Sequence, residues 1–212
     1  MSAPSFTIGV DYGTSSVRAL VVDTSTGEEI GTGVWPYAHG VDGVITDAAD
    51  PNVARQHPKD YVDGFVNSVR AALAQASAHR GFDASRVVGI GIDSTGSTPL
   101  PIGADGAPLA MHQEFAGDPN AMAWLWKDHT SHAEAAEITA LAQNMGLPYL
   151  GKCGGTYSSE WYWAKVLRCE RTAPRVAQAA ATWVECCDFV PAWITGTREP
   201  FSIMRGVCAA GH

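Results

Sequence analysis

The stretch from Phe6 to Val22 constrains the fold most, because it predicts two strands joined by a tight polar turn. Apolar and β-branched residues occupy positions 6–10 and 19–22, as expected for buried or half-buried strands. Between them lie Gly13 and a run of hydroxyl side chains. Backbone amides and hydroxyls gathered in such a turn suit the oxygens of a phosphate. An ordinary hairpin whose polar side chains bond their own backbone explains the local pattern equally well.

Asp11 ends the first predicted strand, where a carboxylate can hold Mg²⁺ beside bound phosphates. Two other classes of phosphate-handling protein are disfavoured. The Asp-x-Asp-Gly-Thr pattern of aspartyl phosphatases needs a second Asp where Gly13 stands, and the Gly-Lys-Ser or Gly-Lys-Thr of a Walker loop does not occur. The turn therefore predicts a phosphate site of another kind.

The net charge, the cysteine pattern and the lack of long apolar stretches limit the partners and the cellular location that we expect. A net charge of −8 disfavours nucleic acid, because binding it requires a basic surface. The five cysteines include no C-x-x-C pair, which favours reduced thiols. No stretch approaches the about 20 apolar residues that cross a bilayer, and residues 1–5 lack the features of a secretory signal. We expect a soluble, cytoplasmic protein with no membrane partner.

The following segments indicate an α/β domain. Glu29 to Val34 predicts a third strand, and Trp35 to His57, rich in Gly, Asp, Pro and His, predicts a long surface loop. Pro58 opens an amphipathic helix that runs to about Ala78. The apolar run from Arg86 to Asp93 predicts a buried parallel strand, since a helix before such a run implies a crossover.

The loop from Ser94 to Thr98 follows this strand directly. Ligands of open α/β sheets lie beyond the carboxyl ends of the strands, so this loop is a candidate ligand site. A solvent-facing turn before the predicted strand 99–102 is the plainer interpretation. We favour the ligand loop because both it and Asp11 follow strands of one predicted sheet.

A second polar cluster lies at the end of the strand predicted from Ala121 to Trp126. Here Trp126, Lys127, Asp128 and His129 bring an aromatic ring, a cation, a carboxylate and an imidazole together. On its own, this cluster does not outweigh the plainer interpretation of a core ring and a solvated ion pair. The later helices are predicted at His132–Asn144, Glu160–Arg168, about Pro174–Ala181 and Cys187–Ile194.

Several stretches together resemble the FGGY carbohydrate kinases, within the superfamily of sugar kinases, heat-shock ATPases and actin. The resemblance is closest to the members that act on L-ribulose, and it implies an α/β fold with a ribonuclease H-like mixed sheet flanked by helices. The matching stretches are Asp11 to Arg18, Gly-Ile-Gly-Ile-Asp-Ser-Thr-Gly-Ser-Thr-Pro (89–99), Leu-Trp-Lys-Asp-His-Thr (125–130), Tyr-Ser-Ser-Glu-Trp-Tyr-Trp-Ala-Lys (157–165) and Cys-Ala-Ala-Gly-His (208–212).

The resemblance implies transfer of the γ-phosphate of ATP to the 5-hydroxyl of L-ribulose, a ketopentose, giving ribulose 5-phosphate in arabinose catabolism. Residues 1–212 would be an N-terminal sugar-binding domain, incomplete at its C-terminal end and without the C-terminal ATP-binding domain. Family members continue after the Gly-His pair with a lysine and a catalytic Asp base. No catalytic residue is therefore expected up to His212, and the polypeptide alone is expected to be inactive.

The resemblance also implies two sets of ligand-contacting residues, which we expect to face one cleft. Asp11 would in addition lie near Mg²⁺. The expected phosphate contacts are Asp11, Gly13, Thr14, Ser15, Ser16 and Arg18, and the expected sugar contacts are Ser94, Thr95, Gly96, Trp126, Lys127, Asp128 and Glu160.

Two alternatives stay open from the sequence. One is a catalytically silent sugar-binding module, and the other is a related FGGY kinase that acts on xylulose, D-ribulose or glycerol. An apolar face left uncovered would also favour self-association into a homo-oligomer.

Overall fold

The structure, a computed structural model, describes residues 5–146 and 148–207. They form two units, one with the residues up to Gly43 and Lys59–Thr95, the other with Val44–Pro58 and the residues from Gly96 onward. None of the described helices combines the length and the hydropathy that a bilayer span requires. The strands are β1 (Phe6–Tyr12), β2 (Ser16–Asp23), β3 (Glu29–Pro36), β4 (Arg55–Gln56), β5 (Val87–Ser94), β6 (Pro99–Ile102), β7 (Ala123–Trp124) and β8 (Thr182–Glu185). The α-helices are α1 (Pro58–Ala76), α2 (His132–Asn144), α3 (Tyr149–Lys152), α4 (Tyr162–Thr172), α5 (Pro174–Ala179) and α6 (Cys186–Thr195).

The first unit contains a mixed sheet in the order β3-β2-β1-β5. Strands β1, β2 and β3 form an antiparallel meander, and β5 pairs in parallel with β1. The predicted hairpin, third strand, crossover helix and parallel strand are thereby confirmed. Helix α1 begins at Pro58 as predicted and ends at Ala76, slightly before the predicted end.

Helix α1 packs against one face of this sheet with almost no space between the backbones. Alternate residues of β1 are buried on this face, as the period of a strand requires. A Cβ atom at Gly31 would lie 2.3 Å from the carbonyl oxygen of Ala72, and one at Gly33 would lie 2.2 Å from that of Ser68. Only glycine allows this approach of helix and strand.

The first turn of α1 is also joined to the chain that follows β3. Asp60 accepts hydrogen bonds from the backbone amides of Ala38 at 3.2 Å and His39 at 3.1 Å. The Asp60 side chain is buried, so these bonds satisfy a carboxylate that water does not reach.

Strand β5 is parallel as predicted, but the prediction that it is buried is wrong. Val88 is 72% exposed and Ile90 is 46% exposed. The reason is its place at one edge of the sheet, while α1 packs against β3 at the opposite edge. An apolar run identifies a strand here but does not say what covers it.

The second unit is built on two short antiparallel pairs, β6 with β8 and β4 with β7. The strand predicted over 121–126 forms only as the two residues of β7. Around these pairs lies an apolar cluster in which the rings of Trp124 and Trp183 meet edge to face at 6.2 Å. Other members of the cluster are Leu109, Phe115, Met122, Tyr162, Cys169 and Val176.

The surface loop predicted from Trp35 to His57 is wrong at its C-terminal end. Arg55 is 2% exposed and Gln56 is 1% exposed, because both belong to β4. The guanidinium of Arg55 lies 3.6 Å from the ring centroid of Trp124 and forms an ion pair with Asp128. A stacked and paired arginine can be buried where a solitary one cannot.

Candidate functional site

The turn between β1 and β2 has the tight geometry that the sequence predicts. The amide of Gly13 donates to the carbonyl of Ser16 at 3.0 Å, which closes the hairpin, and Ser15 at its tip is exposed. Asp11 and Arg18 face each other across the two strands, and their side chains form an ion pair at 2.6 Å. Both side chains are accessible to solvent, so a ligand can reach them.

A second carboxylate lies beside Asp11, and sequence reasoning missed it. Asp93 of β5 stands opposite Asp11 in the parallel register. Asp11, Arg18 and Asp93 together line one part of an open groove of about 510 Å³ on the first unit. The missed signal is that two strands of one predicted sheet both carry an aspartate near their carboxyl ends.

Ser94 and Thr95 continue from β5 at this same end of the sheet. The amide of Thr95 donates to the carbonyl of Tyr12 at 3.2 Å, so the end of β5 lies beside the end of β1. The carboxylate of Asp93 accepts from the amide of Ser94 at 2.9 Å. The prediction that Asp11 and this loop follow strands of one sheet is thereby confirmed, whereas the role of the loop in ligand binding stays a prediction.

Gly96 to Thr98 belong to the second unit, where the loop is held by several hydrogen bonds. Gly96 is exposed, and a Cβ atom added to it would meet no described atom within 4 Å. Ser97 has a left-handed backbone with φ of 54°, which is uncommon for a residue with a side chain. The amide of Thr98 donates to Glu185 Oε2 at 2.6 Å, and its hydroxyl donates to the carbonyl of Gly96 at 3.1 Å.

Lys165 of α4 lies inside this unit, and sequence reasoning did not single it out. Its side chain has no exposed surface. Its ammonium donates to the carbonyl oxygens of Ser97 at 2.7 Å, Leu125 at 2.8 Å and Trp124 at 3.2 Å. Burial lowers the pKa of Lys165 to about 7.

Trp126, Lys127 and Asp128 directly follow β7, and they differ in accessibility. Trp126 is 39% exposed and Lys127 is half-buried, so both are accessible. Asp128 has no exposed surface. Its Oδ2 accepts from the amide of Ala54 at 2.8 Å, and its Oδ1 accepts from the hydroxyl of Thr130 at 2.6 Å.

The contacts of Asp128, including its ion pair with Arg55, anchor this segment from inside. The geometry thus gives Asp128 an internal role, and its contact with a sugar stays a prediction. Burial lowers the pKa of Arg55 to about 9, so the guanidinium remains charged at neutral pH.

Glu160 lies in the turn before α4, not on the helix as predicted, because α4 begins only at Tyr162. Its side chain is 40% exposed and lies 3.9 Å from Nε2 of His129. Nδ1 of His129 is 3.0 Å from the hydroxyl of Ser159. These three residues form a half-buried polar cluster, and His129 lies two positions beyond Lys127 in the chain.

One of the stretches that carry the resemblance, Cys208 to His212, lies outside the described residues. Among the described residues, Cys153, Cys169 and Cys187 are thiols outside any disulfide. The residue roles expected from the resemblance, and the single cleft that would unite them, stay predictions.

Comparison with known proteins gives matches over nearly the whole chain. The sequence is 44% identical over 206 residues to a ribulokinase of Vibrio parahaemolyticus, which covers 97% of this chain and 36% of that protein. Among solved structures, xylulose kinase from Rhodospirillum rubrum matches with a TM-score of 0.69 and 20% identity over 88% of this chain and 33% of that one. Glycerol kinase from Plasmodium falciparum, solved with ADP, matches with a TM-score of 0.62 and 14% identity over 90% of this chain and 33% of that one.

No protein-family model matches the sequence. The chain spans about 36% of the length of the curated relatives it matches. The two solved structures support the fold expected from the resemblance, with its mixed sheet flanked by helices. Over nearly its whole length, the chain thus matches part of the ribulokinases in sequence, in agreement with its resemblance to the FGGY carbohydrate kinases.

Proposed function

We propose that this chain is the sugar-binding part of an ATP-dependent kinase that phosphorylates the 5-hydroxyl of L-ribulose. The observation that carries the proposal is the 44% identity to a ribulokinase over 97% of the chain. The related kinases of xylulose and glycerol share the fold at 20% identity or less, which supports L-ribulose over those acceptors.

The residues at the ends of β1 and β5 suit a nucleotide phosphate and its magnesium ion. The exposed hydroxyl of Ser15 and the accessible guanidinium of Arg18 can approach phosphate oxygens. Asp11 and Asp93 are neighbouring carboxylates, and Mg²⁺ is usually held by one or two carboxylates together with substrate phosphates. A relative of the same fold was solved with ADP, which supports a nucleotide here.

Bound Mg²⁺ and ATP would supply the phosphoryl group and neutralise its charge during transfer. The residues of this chain would then contribute mainly by positioning. Asp11 would orient the metal, and Arg18 would exchange its ion pair with Asp11 for a phosphate oxygen. Trp126 would offer its exposed ring to the C–H groups of the sugar, while Gly96 would leave space for its carbon chain.

Lys127 and Glu160, both accessible, would bond the sugar hydroxyls, as Ser94 and Thr95 would. The base that removes the proton of the 5-hydroxyl is expected outside residues 1–212, as the resemblance implies.

The test is ATP-dependent phosphorylation by the complete gene product of L-ribulose, D-ribulose, xylulose and glycerol. We expect L-ribulose to give the highest kcat/KM, and the 212-residue polypeptide measured beside it to give no turnover. A preference for glycerol or xylulose would refute the assigned acceptor, and turnover of none of the four would refute the kinase.

A further inference from the structure

Lys165 and Glu185 hold the two sides of one peptide group. The carbonyl oxygen of Ser97 accepts from Lys165 Nζ at 2.7 Å, and the amide of Thr98 donates to Glu185 Oε2 at 2.6 Å. This carbonyl and this amide belong to the same planar peptide unit. The amino group of Lys165 and the carboxyl group of Glu185 therefore fix it from opposite sides, and in their ionised forms their hydrogen bonds are charge-assisted and stronger than neutral ones.

The same ammonium also holds the segment before Trp126. It donates to the carbonyl oxygens of Trp124 and Leu125 in addition to that of Ser97. An ammonium has three N–H donors, so these three carbonyls use all of them. Lys165 is thus a direct link between the loop of Gly96 and the segment that presents Trp126.

Packing alone does not explain why ionisable side chains occupy positions 165 and 185. Both side chains have no exposed surface, and Oε1 of Glu185 has no hydrogen-bond partner within the described part of the chain. Burial raises the pKa of Glu185 to about 7 and lowers that of Lys165 to about 7. Two apolar side chains would fill the same space without this desolvation, so what the charges add is directed bonding to the backbone.

Lys165 and Glu185 bind the backbone next to Ser97, whose conformation is unfavourable without such constraints. Ser97 has a φ of 54°, a left-handed conformation that is unfavourable for a residue with a Cβ atom. Such conformations persist where the surroundings fix them. The bonds from Lys165 and Glu185 fix the peptide group that directly follows this residue and so contribute to that constraint.

We propose that Lys165 and Glu185 are positioning residues, which fix the Gly96 loop relative to Trp126 in the arrangement that a ketopentose requires. The inference rests on the proposed function. Neither side chain contacts the sugar, because both are buried beneath the loop and the segment they hold.

The decisive variant is Lys165→Met in the complete gene product, because methionine keeps the length of the side chain and removes its donors. We expect the KM for L-ribulose to rise by between about tenfold and about a hundredfold, since small misplacements of a substrate contact have effects of this size. The KM for ATP should not change. The matched control is Lys152→Met, at an exposed lysine of α3, which should change neither KM.

A second pair of variants separates positioning from mere stability. Glu185→Gln keeps an acceptor for the amide of Thr98, whereas Glu185→Leu removes it. We expect the glutamine variant to retain the KM for L-ribulose and the leucine variant to raise it as Lys165→Met does. A purely structural role would lower the melting temperature and leave the KM of the folded fraction unchanged, so this pair decides the matter if Lys165→Met does not fold.

The outcomes for the two proposals are distinct. If the wild type phosphorylates L-ribulose and neither Lys165→Met nor Glu185→Leu changes its KM, the inference is overturned and the proposed function stands. If the wild type phosphorylates no ketopentose, the proposed function is overturned and the inference falls with it.

Discussion

Replacing Asp128 by asparagine should destabilise the protein even when no sugar is present. Asp128 forms an ion pair with Arg55 and accepts from the amide of Ala54 and the hydroxyl of Thr130. Asparagine keeps one acceptor oxygen, but its amide nitrogen cannot accept. The change therefore leaves a guanidinium whose side chain is 3% exposed without its counter-charge.

The size of the expected loss in unfolding free energy follows from the burial of the ion pair between Arg55 and Asp128. Removing one partner of a buried ion pair costs about 3–5 kcal/mol, because the remaining charge stays desolvated. That is a large part of a typical unfolding free energy of about 5–15 kcal/mol. The double variant Arg55→Met with Asp128→Asn removes both charges, so its loss should be smaller than the sum of the two single losses by about 0.5–3 kcal/mol.

The assay is equilibrium urea unfolding of the complete gene product in the absence of sugar. The matched control is Glu137→Gln, which breaks an exposed pair with Arg171 that has hydrogen bonds of 2.8 and 3.1 Å. Water replaces an exposed partner, so this control should lose far less stability. If Asp128→Asn unfolds at the wild-type urea concentration and changes only the KM for L-ribulose, Asp128 binds the sugar, and the internal role argued from its contacts is refuted.

Three further predictions concern the two units separately. Gly31→Ala should destabilise the protein by about 1–3 kcal/mol in thermal unfolding, because its Cβ would meet the backbone of α1. The control Gly89→Ala should not destabilise it, since its Cβ would meet nothing within 4 Å. Equal losses of stability in the two variants would contradict the packing of α1 on β3. Asp11→Asn should lower the kcat of L-ribulose phosphorylation at least about tenfold and shift its dependence on Mg²⁺ concentration upward, whereas Glu28→Gln, near the opposite end of β2, should leave both unchanged. Burial raises the pKa of Glu185 from an ordinary 4.5 to about 7, so the folded protein binds the carboxyl proton more tightly than the unfolded chain, and the wild type loses stability as the pH rises from 4.5 to 7. Glutamine does not titrate, so the melting temperature of Glu185→Gln minus that of the wild type should increase from pH 4.5 to pH 7. A difference that stays constant over this pH range would refute the raised pKa.

Local patterns were enough to predict the elements that hold the first unit together. The turn at Gly13 and the helix that opens at Pro58 depend on residues close in sequence. The parallel direction of β5 followed from the connection through that helix, since such crossovers join parallel strands.

The sequence could not predict which charged residues are buried. Arg55 meets Asp128, and Lys165 meets the carbonyl of Ser97, so each contact joins positions far apart in the chain. In a single sequence a lysine or arginine is assigned by default to the surface, where most are found. Glu160 was misplaced for a different reason, because helix starts are uncertain by a few residues without a clear capping residue.

The contact of α1 with β3 has a mechanical consequence. Where Gly31 and Gly33 meet the helix, no side chain lies between the two backbones that could change rotamer and absorb a shift. Asp60 ties the start of the same helix to the residues just after β3. Helix α1 and strand β3 should therefore move as one rigid body, so that a displacement of the strand is transmitted in full to the start of the helix.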